Sequence, residues 1–368
     1  MSGNETAERY FESDLIAFYE TVKEGYFRAV KETGAVTTKY YHIAGYVVRL
    51  DFCGSLIVPK ISPALSHLEI KEASDSDLTI HLWDSVSTKT ALPLLVSSLV
   101  AQLRKNWWEL LDIRREIKGY NGGGIHSTFH LGPDILSVLH KYKNEAVYWI
   151  EDAAKIPYYE EGYPLTSIIG GWMEQRRCHY IHAAAMGLDG KGVLIPGNGG
   201  VGKSTTALAC LNSELQFLSD DYCLFTFQPG PTVHALYNTT KLKGEDDMRR
   251  FPHLKEKISN PDHLEEEKAM IYLQNHFPEK IVRQLDVKAI LLPRITGLSR
   301  TEVKPAKAAE ALLTLAPSTL FQLPGSGPHT FHAFGRLVRE VPVFRIELGT
   351  EIERIPGVIS GLIDELAG

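Results

Sequence analysis

Apolar and polar positions follow two different periods in the first 150 residues of the chain. In residues 1–35, apolar side chains recur at three- and four-residue steps, which predicts an amphipathic helix. From residue 40 the period shortens towards two, which predicts a small antiparallel unit over Tyr40–Asp84. Residues 92–117 are again helical in pattern, and we expect Trp107-Trp108 to anchor that helix in a core.

A glycine-rich turn at Tyr120–Gly124 interrupts this pattern. His126 and His130 follow it, four residues apart. On a helix this spacing would allow a shared metal, but the flanking glycines and proline argue against a long helix. We therefore interpret both histidines as structural.

The later part of the chain is rich in short strand patterns. Residues 180–186 and 193–195 are two such strands, and Asp189-Gly190 between them is a dipeptide typical of a tight hairpin. The segment Lys241–Lys268 is charged and irregular, which is typical of a solvated helix or a mobile loop.

Length and composition narrow the class of protein. A chain of 368 residues favours two domains, and we place an α+β accessory or recognition domain at 1–150 and a catalytic domain at 151–368. With 44% hydrophobic and 23% charged residues, the composition is that of a globular protein. The net charge of −6 argues against a general nucleic-acid binder. Four scattered cysteines indicate neither a zinc site nor a disulfide framework.

The N-terminus and the apolar runs bear on the cellular compartment. The first residues are polar and acidic, unlike a signal peptide. No apolar run approaches the ~20 residues that a membrane-spanning helix needs. We expect a cytoplasmic protein with no membrane partner.

A glycine-rich loop carries the clearest chemical motif of the sequence. Gly197, Gly202, Lys203 and Ser204 match the G-x-x-x-x-G-K-[ST] pattern of a phosphate-binding loop, directly after an apolar strand and before a helical run. Backbone N–H groups and the helix N-terminus would bind phosphate oxygens, Lys203 would reach the β- and γ-phosphates, and Ser204 would ligate Mg²⁺. The alternative is a fortuitous glycine-rich turn. The predicted nucleotide-binding residues are Gly197, Asn198, Gly199, Gly200, Val201, Gly202, Lys203, Ser204 and Thr205.

Two adjacent carboxylates follow the loop after only one short helix. Asp220-Asp221 come directly after an apolar strand pattern, and two neighbouring residues converge on one site only where a strand ends. One carboxylate could then hold Mg²⁺ and the other could accept a proton from the nucleophile. A structural turn with two exposed carboxylates is the alternative.

The stretch from His182 through the loop to Asp220-Asp221 resembles the catalytic domain of the HPr serine kinase/phosphorylase family and related proteins. That family is similar in fold to phosphoenolpyruvate carboxykinase. The resemblance implies a mixed-sheet α/β P-loop domain, ATP and Mg²⁺ as cofactors, and phosphorylation of a hydroxyl, which in the type family is a serine of a small protein. It extends more weakly through 235–242, Glu267-Lys268 and 291–294.

By the same resemblance, Asp220 is the general acid/base, Asp221 and Ser204 are metal-associated, and His182 precedes the loop. Lys241, Lys268 and Arg294 are candidates for neutralising charge on the transferred phosphoryl group. A solvated surface position is the alternative for Lys241 and Lys268, which lie in or beside a charged stretch. Of these three, Arg294 follows a buried strand and Pro293, which favours a position at a strand end.

Three functional hypotheses follow. The first is a kinase that transfers the γ-phosphoryl group of ATP to an unidentified protein, peptide or small-molecule hydroxyl. The second is an ATP-binding switch or scaffold, or a weak ATPase without an acceptor. The third is carboxykinase-like chemistry, for which the sequence offers no recognisable second metal site. The resemblance also implies a homo-oligomer.

Overall fold

The computed structural model describes residues 12–264, 268–321, 323 and 327–367. Over these residues the chain is a mixed α/β protein with a seven-stranded sheet, an eight-stranded sheet and a separate two-stranded sheet. The α/β class predicted from the sequence is confirmed. The start of the predicted N-terminal helix and Glu267 lie outside the described residues.

The first sheet contains the strands of the first 150 residues, in the spatial order β3-β1-β2-β4-β7-β6-β5. Its strands are β1 Thr37–Ile43, β2 Tyr46–Cys53, β3 Glu69–Ile70, β4 Leu78–Asp84, β5 Ile125–His130, β6 Ile135–His140 and β7 Glu145–Ile150. The helices up to the second sheet are α1 Glu12–Thr33, α2 Val58–Leu65, α3 Ser85–Thr88, α4 Leu94–Leu110, α5 Tyr158–Gly162 and α6 Thr166–Glu174.

The predicted antiparallel unit over Tyr40–Asp84 is only partly correct. Strands β1 and β2 are antiparallel, but β2 and β4 are parallel, as are β4 and β7. The chain between β2 and β4 passes through α2, and such a crossover is what a parallel pair requires.

The expectation that Trp107 and Trp108 anchor a core is wrong. Their exposed fractions are 48% and 58%, and their rings contact each other edge to face. The buried face of α4 is built from residues nearer its start, and the backbone of Asn106 is non-helical, with φ −129°. The two tryptophans follow this break and lie outside the packed face, and α4 ends at Leu110 rather than near residue 117.

His126 and His130 lie on β5, not on a helix. The Nε2 of His126 is 3.1 Å from Oε1 of Glu116, and the Nδ1 of His130 is 3.0 Å from Oε2 of Glu160. Each histidine therefore pairs with its own glutamate.

The second sheet contains the strands after residue 178, and a two-stranded sheet of β13 and β14 lies apart from it. The strands are β8 His179–Leu188, β9 Lys191–Pro196, β10 Gln216–Ser219, β11 Tyr222–Thr226, β12 Thr232–His234, β13 Thr239–Leu242, β14 Ala269–Tyr272, β15 Gln284–Ile295, β16 Glu302–Pro305 and β17 Val343–Leu348. The helices are α7 Lys203–Cys210, α8 Gly244–Arg250, α9 Ala308–Leu320, α10 Pro328–Glu340 and α11 Ile355–Ala367. Short 3-10 helices occupy Ser66–Leu68, Ala153–Lys155, Pro252–Lys257, Pro261–His263, Leu273–Asn275, Pro278–Lys280 and Ile352–Arg354.

Five strands of the second sheet form a closed ring of pairings. Strand β8 pairs with β11, β11 with β12, β12 with β15, β15 with β9, and β9 with β8. The β8–β9 hairpin is confirmed, because both Asp189 (φ 49°) and Gly190 (φ 77°) adopt the positive φ of a tight two-residue turn. The hairpin brings the glycine-rich loop, which follows β9, next to β8.

The segment Lys241–Lys268 is not simply a solvated helix or mobile loop. It begins inside β13, which pairs with β14, and continues into α8 and two 3-10 helices. Leu242, Phe251 and Leu254 are buried in the core around α7. Because charged residues dominate this segment, the sequence pattern did not predict these apolar contacts.

One apolar cluster joins the two large sheets. It contains Leu50 and Ile80 of the first sheet together with Tyr180 and Leu224 of the second. A different cluster lies on α1 and α4 and covers the other face of the first sheet. The division of the chain at residue 150 remains a prediction. Among the described helices, none is both long enough and apolar enough to cross a membrane.

Candidate active site

The glycine-rich loop connects the end of β9 at Pro196 to the start of α7 at Lys203. Three of its glycines have positive φ: Gly197 (149°), Gly200 (89°) and Gly202 (106°). A Cβ on Gly202 would also lie 2.5 Å from Cδ1 of Leu348. The positive φ therefore favours glycine at Gly202, and a side chain there would also displace the end of the Leu348 side chain.

Lys203 is buried beneath this loop, with an exposed fraction of 6%. Its Nζ donates hydrogen bonds to the carbonyl oxygens of Gly197 (2.5 Å) and Asn198 (3.3 Å). Burial lowers the pKa of Lys203, while the charges of Asp221 and Asp220 oppose this shift. The ammonium group thus holds the loop together and lies in the field of both carboxylates.

A cavity of about 470 Å³ opens beside the loop, and we call it the loop cavity. It brings together most of the predicted site residues, namely His182, Gly199, Gly200, Gly202, Lys203, Ser204, Thr205, Asp220 and Asp221. The backbone N–H groups at the start of α7 are unpaired within the helix and face this region, as in phosphate-binding helix N-termini.

Asp220 and Asp221 occupy the break between β10 and β11, opposite β8. The Asp220 carboxylate is 2% exposed, and its Oδ2 accepts hydrogen bonds from Oγ1 of Thr240 (2.8 Å) and the backbone N–H of Lys241 (3.2 Å). Its Oδ1 has no hydrogen-bond partner of normal geometry in the described structure. Burial and the charge of Asp221 raise the pKa of Asp220, against the effect of nearby hydroxyls and the Lys241 N–H.

Asp221 has a different environment. Its Oδ1 lies 2.5 Å from Nε2 of His182, whose ring stacks on Tyr222, and its Oδ2 lies 4.0 Å from Nζ of Lys241. Burial, the largest effect, works to raise the pKa of Asp221. The hydrogen bond and charge of His182 and the charges of Lys241 and Lys203 outweigh it and bring the pKa to about 2. The two neighbouring carboxylates therefore have pKa values shifted in opposite directions.

Lys241 lies between Asp221 and a group of tyrosines. Its Nζ is 4.0 Å from the ring centre of Tyr163 and 5.4 Å from that of Tyr158. Burial lowers the pKa of Lys241 to about 8, although the charges of Asp221 and Asp220 act to raise it and Lys268 adds to the lowering.

Further charges line the side of the loop cavity formed by α8. Lys243 and Arg250 lie there with Asp246 and Asp247. Asp247 accepts a hydrogen bond from the backbone N–H of Lys243 (2.8 Å) and pairs with Arg250 (3.2 Å). Sequence reasoning missed these four residues, because their charge pattern alone is that of a solvated helix.

Four predicted residues lie outside the lining of the loop cavity: Gly197, Asn198, Val201 and Arg294. The first two still contact Lys203 through their carbonyl oxygens. Arg294 is exposed near the end of β15, beside Glu347 of β17. Its neighbour Ile295 lines the cavity, so the alternation of a strand turns Arg294 the other way.

The residues present suit Mg²⁺ bound together with phosphates. Mg²⁺ in nucleotide sites is held by one or two carboxylates or hydroxyls plus phosphate oxygens and water. Ser204, Asp220 and Asp221 line one cavity, and Oδ2 of Asp221 lies 4.0 Å from Nζ of Lys241, beyond hydrogen-bond distance. The described residues contain no group of three or more His, Cys, Asp or Glu side chains arranged for a metal without phosphates.

Comparisons with known proteins identify no family for this chain. No protein-family model matches it, and no curated protein matches it. Among solved structures, it is similar to the Hpr(Ser) kinase/phosphatase from Coxiella burnetii, with 15% sequence identity and a TM-score of 0.29. That match covers 52% of this chain and 99% of the other. A likeness of this size supports no conclusion about function, which has to rest on the residues of the site.

Proposed function

We propose that this protein is a kinase that transfers the γ-phosphoryl group of ATP, with Mg²⁺, to a hydroxyl acceptor. One observation carries the proposal. The paired carboxylates of Asp220 and Asp221 lie in the same cavity as Lys203 and Ser204 of the glycine-rich loop. A carboxylate beside a phosphate-binding loop can accept the proton of an attacking hydroxyl, which transfer to an acceptor requires.

The loop and the start of α7 bind the triphosphate in this proposal. Backbone N–H groups donate to phosphate oxygens, and Lys203 exchanges its bonds to the Gly197 and Asn198 carbonyls for bonds to phosphate. The low exposure of Lys203 strengthens this interaction, since little water screens the charge.

Asp220 acts as the general base. Its Thr240 and Lys241 hydrogen bonds fix the carboxylate, and its Oδ1 is free to accept a proton. The acceptor oxygen forms a bond to the γ-phosphorus, the bond from that phosphorus to the β–γ bridging oxygen breaks, and the hydroxyl proton passes to Asp220 as ADP leaves. A raised pKa makes Asp220 a stronger base than an ordinary aspartate.

Asp221 keeps its negative charge and organises the other side of the site. It holds His182 and lies near Lys241, whose positive charge can stabilise the transferred phosphoryl group. Ser204 and Asp221 would hold Mg²⁺, which when bound neutralises charge on the β- and γ-phosphates.

The direct test is phosphoryl transfer from γ-labelled ATP with Mg²⁺ to a lysate and to its small-molecule fraction. We expect one labelled product with the wild-type protein and none with Lys203→Ala. Arg354→Ala, which removes an exposed arginine paired with Glu351, serves as a matched control and should label normally.

Other outcomes would separate the alternatives. Tight ATP binding without a labelled acceptor would favour a switch, scaffold or weak ATPase. Phosphoryl transfer by Lys203→Ala at the wild-type rate would contradict the proposal.

A further inference from the structure

A second cavity, of about 250 Å³, adjoins the loop cavity. Four tyrosines line it, Tyr148, Tyr159, Tyr163 and Tyr222, so we call it the tyrosine cavity. The two cavities share Asp221, Tyr222 and Lys241. A molecule in the tyrosine cavity would therefore lie directly beside Asp221, one of the two carboxylates of the proposed transfer site.

The floor of the tyrosine cavity is a row of hydroxyls on the first sheet. Thr128 of β5 is in register with Ser137 of β6, and Ser137 is in register with Tyr148 of β7, so the three side chains share one face. Their exposed fractions are 3%, 5% and 1%. Buried sheet faces are normally apolar, because a buried hydroxyl without a partner is destabilising.

Several of these polar groups are not satisfied by the protein. In the described residues, the Thr128 and Ser137 hydroxyls make no hydrogen bond, and the buried Tyr163 hydroxyl has no partner of normal geometry. Tyr148 donates to Oε1 of Glu160 at 2.8 Å. Thr128 and Ser137 thus place two hydroxyls without a protein partner on the lining of one small cavity, which indicates a polar ligand.

The charges around the cavity indicate the sign of that ligand. Glu160 is held by His130 and Tyr148, and Asp221 is held by His182. Arg115 lines the same cavity and its charge acts on Tyr222, while its guanidinium makes no ion pair or hydrogen bond among the described residues. Arg115 is therefore the cation of the cavity lining that has no carboxylate partner among the described residues, and it suits an anionic group.

We propose that the tyrosine cavity binds the phosphoryl acceptor, and that the acceptor is a small anionic molecule with a hydroxyl group. This inference rests on the proposed kinase function. Its anionic group binds Arg115, its polar atoms bind Thr128 and Ser137, and its hydroxyl lies towards Asp221 and Asp220. The cavity is smaller than the roughly 300–1,000 Å³ of sites for drug-sized ligands, which favours a compact metabolite over a protein segment.

The test uses D-glycerate, L-malate and glycerol 3-phosphate as anionic probes, and glycerol as the neutral probe. Binding is measured by ligand-observed NMR on the full chain with Mg²⁺ and a non-hydrolysable ATP analogue, so no turnover is needed. We expect at least one anionic probe to bind and glycerol not to bind.

Variants of the cavity lining then test whether the probe binds in the tyrosine cavity. Arg115→Ala should lower the affinity for the probe at least about tenfold, because a charge-assisted hydrogen bond is lost. Ser137→Leu should abolish binding by filling the cavity, and the nearly isosteric Thr128→Val should weaken it while keeping the fold. Arg28→Ala, an exposed arginine on α1, is the matched control and should bind normally.

The affinity for ATP separates this inference from the proposed function. ATP binding that is retained in Ser137→Leu shows that the loop cavity is intact. If no anionic probe binds the nucleotide-loaded wild type, or if binding is unchanged in Ser137→Leu, the acceptor assignment is overturned. The same holds if Ser137→Leu still phosphorylates a protein at the normal rate, although the kinase proposal would then stand.

Discussion

Lys241 joins the two cavities, and its burial makes it sensitive to pH. Its pKa of about 8 means that the ammonium form predominates below pH 8 and is lost as the pH rises through that value. Transfer that needs this charge should therefore fall on the alkaline side of pH 8.

Lys241→Arg tests this pH dependence directly, since a guanidinium stays protonated over the whole pH range of the assay. We expect a lower absolute rate, but the alkaline fall should move above pH 10. The exposed Lys304→Arg is the matched control and should keep the wild-type profile. An unchanged profile in Lys241→Arg would show that another group controls the alkaline limb.

The same residue shows why part of the site could not be predicted from sequence. The motif at Gly197–Ser204 and the pair Asp220-Asp221 are recognisable because their chemistry is local. The burial of Lys241 depends on β13 pairing with β14 and on contact with Tyr163, which is remote in sequence. A charge pattern contains no information about such contacts.

At the scale of elements, the connection from β9 through the loop to α7 is the most constrained feature. Gly202→Ala would force a Cβ into Leu348 and a residue with a side chain into φ 106°. We expect a lower melting temperature and an ATP affinity reduced at least about tenfold, since backbone strain of this kind costs about 1–3 kcal/mol.

Gly199→Ala is the matched control for thermal stability. A Cβ at Gly199 has no neighbour within 4 Å. Calorimetry should therefore show an unchanged melting temperature for Gly199→Ala, and nucleotide titration gives the ATP affinity of Gly202→Ala. A wild-type melting temperature and ATP affinity in Gly202→Ala would show that the loop tolerates the side chain.

Element pairings show the same limit of sequence reasoning. The Asp189-Gly190 hairpin was predictable, because a two-residue turn is determined by its own residues. The parallel β2–β4 pair and the closed ring through β15 were not, because they join strands far apart in sequence. The hydroxyl row of Thr128 and Ser137 lies on a local hairpin, but its position in one cavity with Tyr163 and Lys241 depends on contacts between remote segments.

For the whole molecule, the apolar cluster between the two sheets predicts how the chain unfolds. Leu50 and Ile80 pack in one cluster with Tyr180 and Leu224, so neither sheet can lose its partner without exposing that surface. We expect a single calorimetric transition for the full chain. Two independent transitions would indicate separate domains, as the predicted boundary at residue 150 would allow.

In the proposed reaction, Asp220 takes the proton from the acceptor hydroxyl. The most direct measurement is the rate of transfer from γ-labelled ATP by Asp220→Asn, together with its affinity for ATP. Asparagine keeps the size of the side chain but removes the basic carboxylate. The rate is predicted to fall at least about a hundredfold while ATP affinity changes little. A wild-type rate in Asp220→Asn would contradict the assignment.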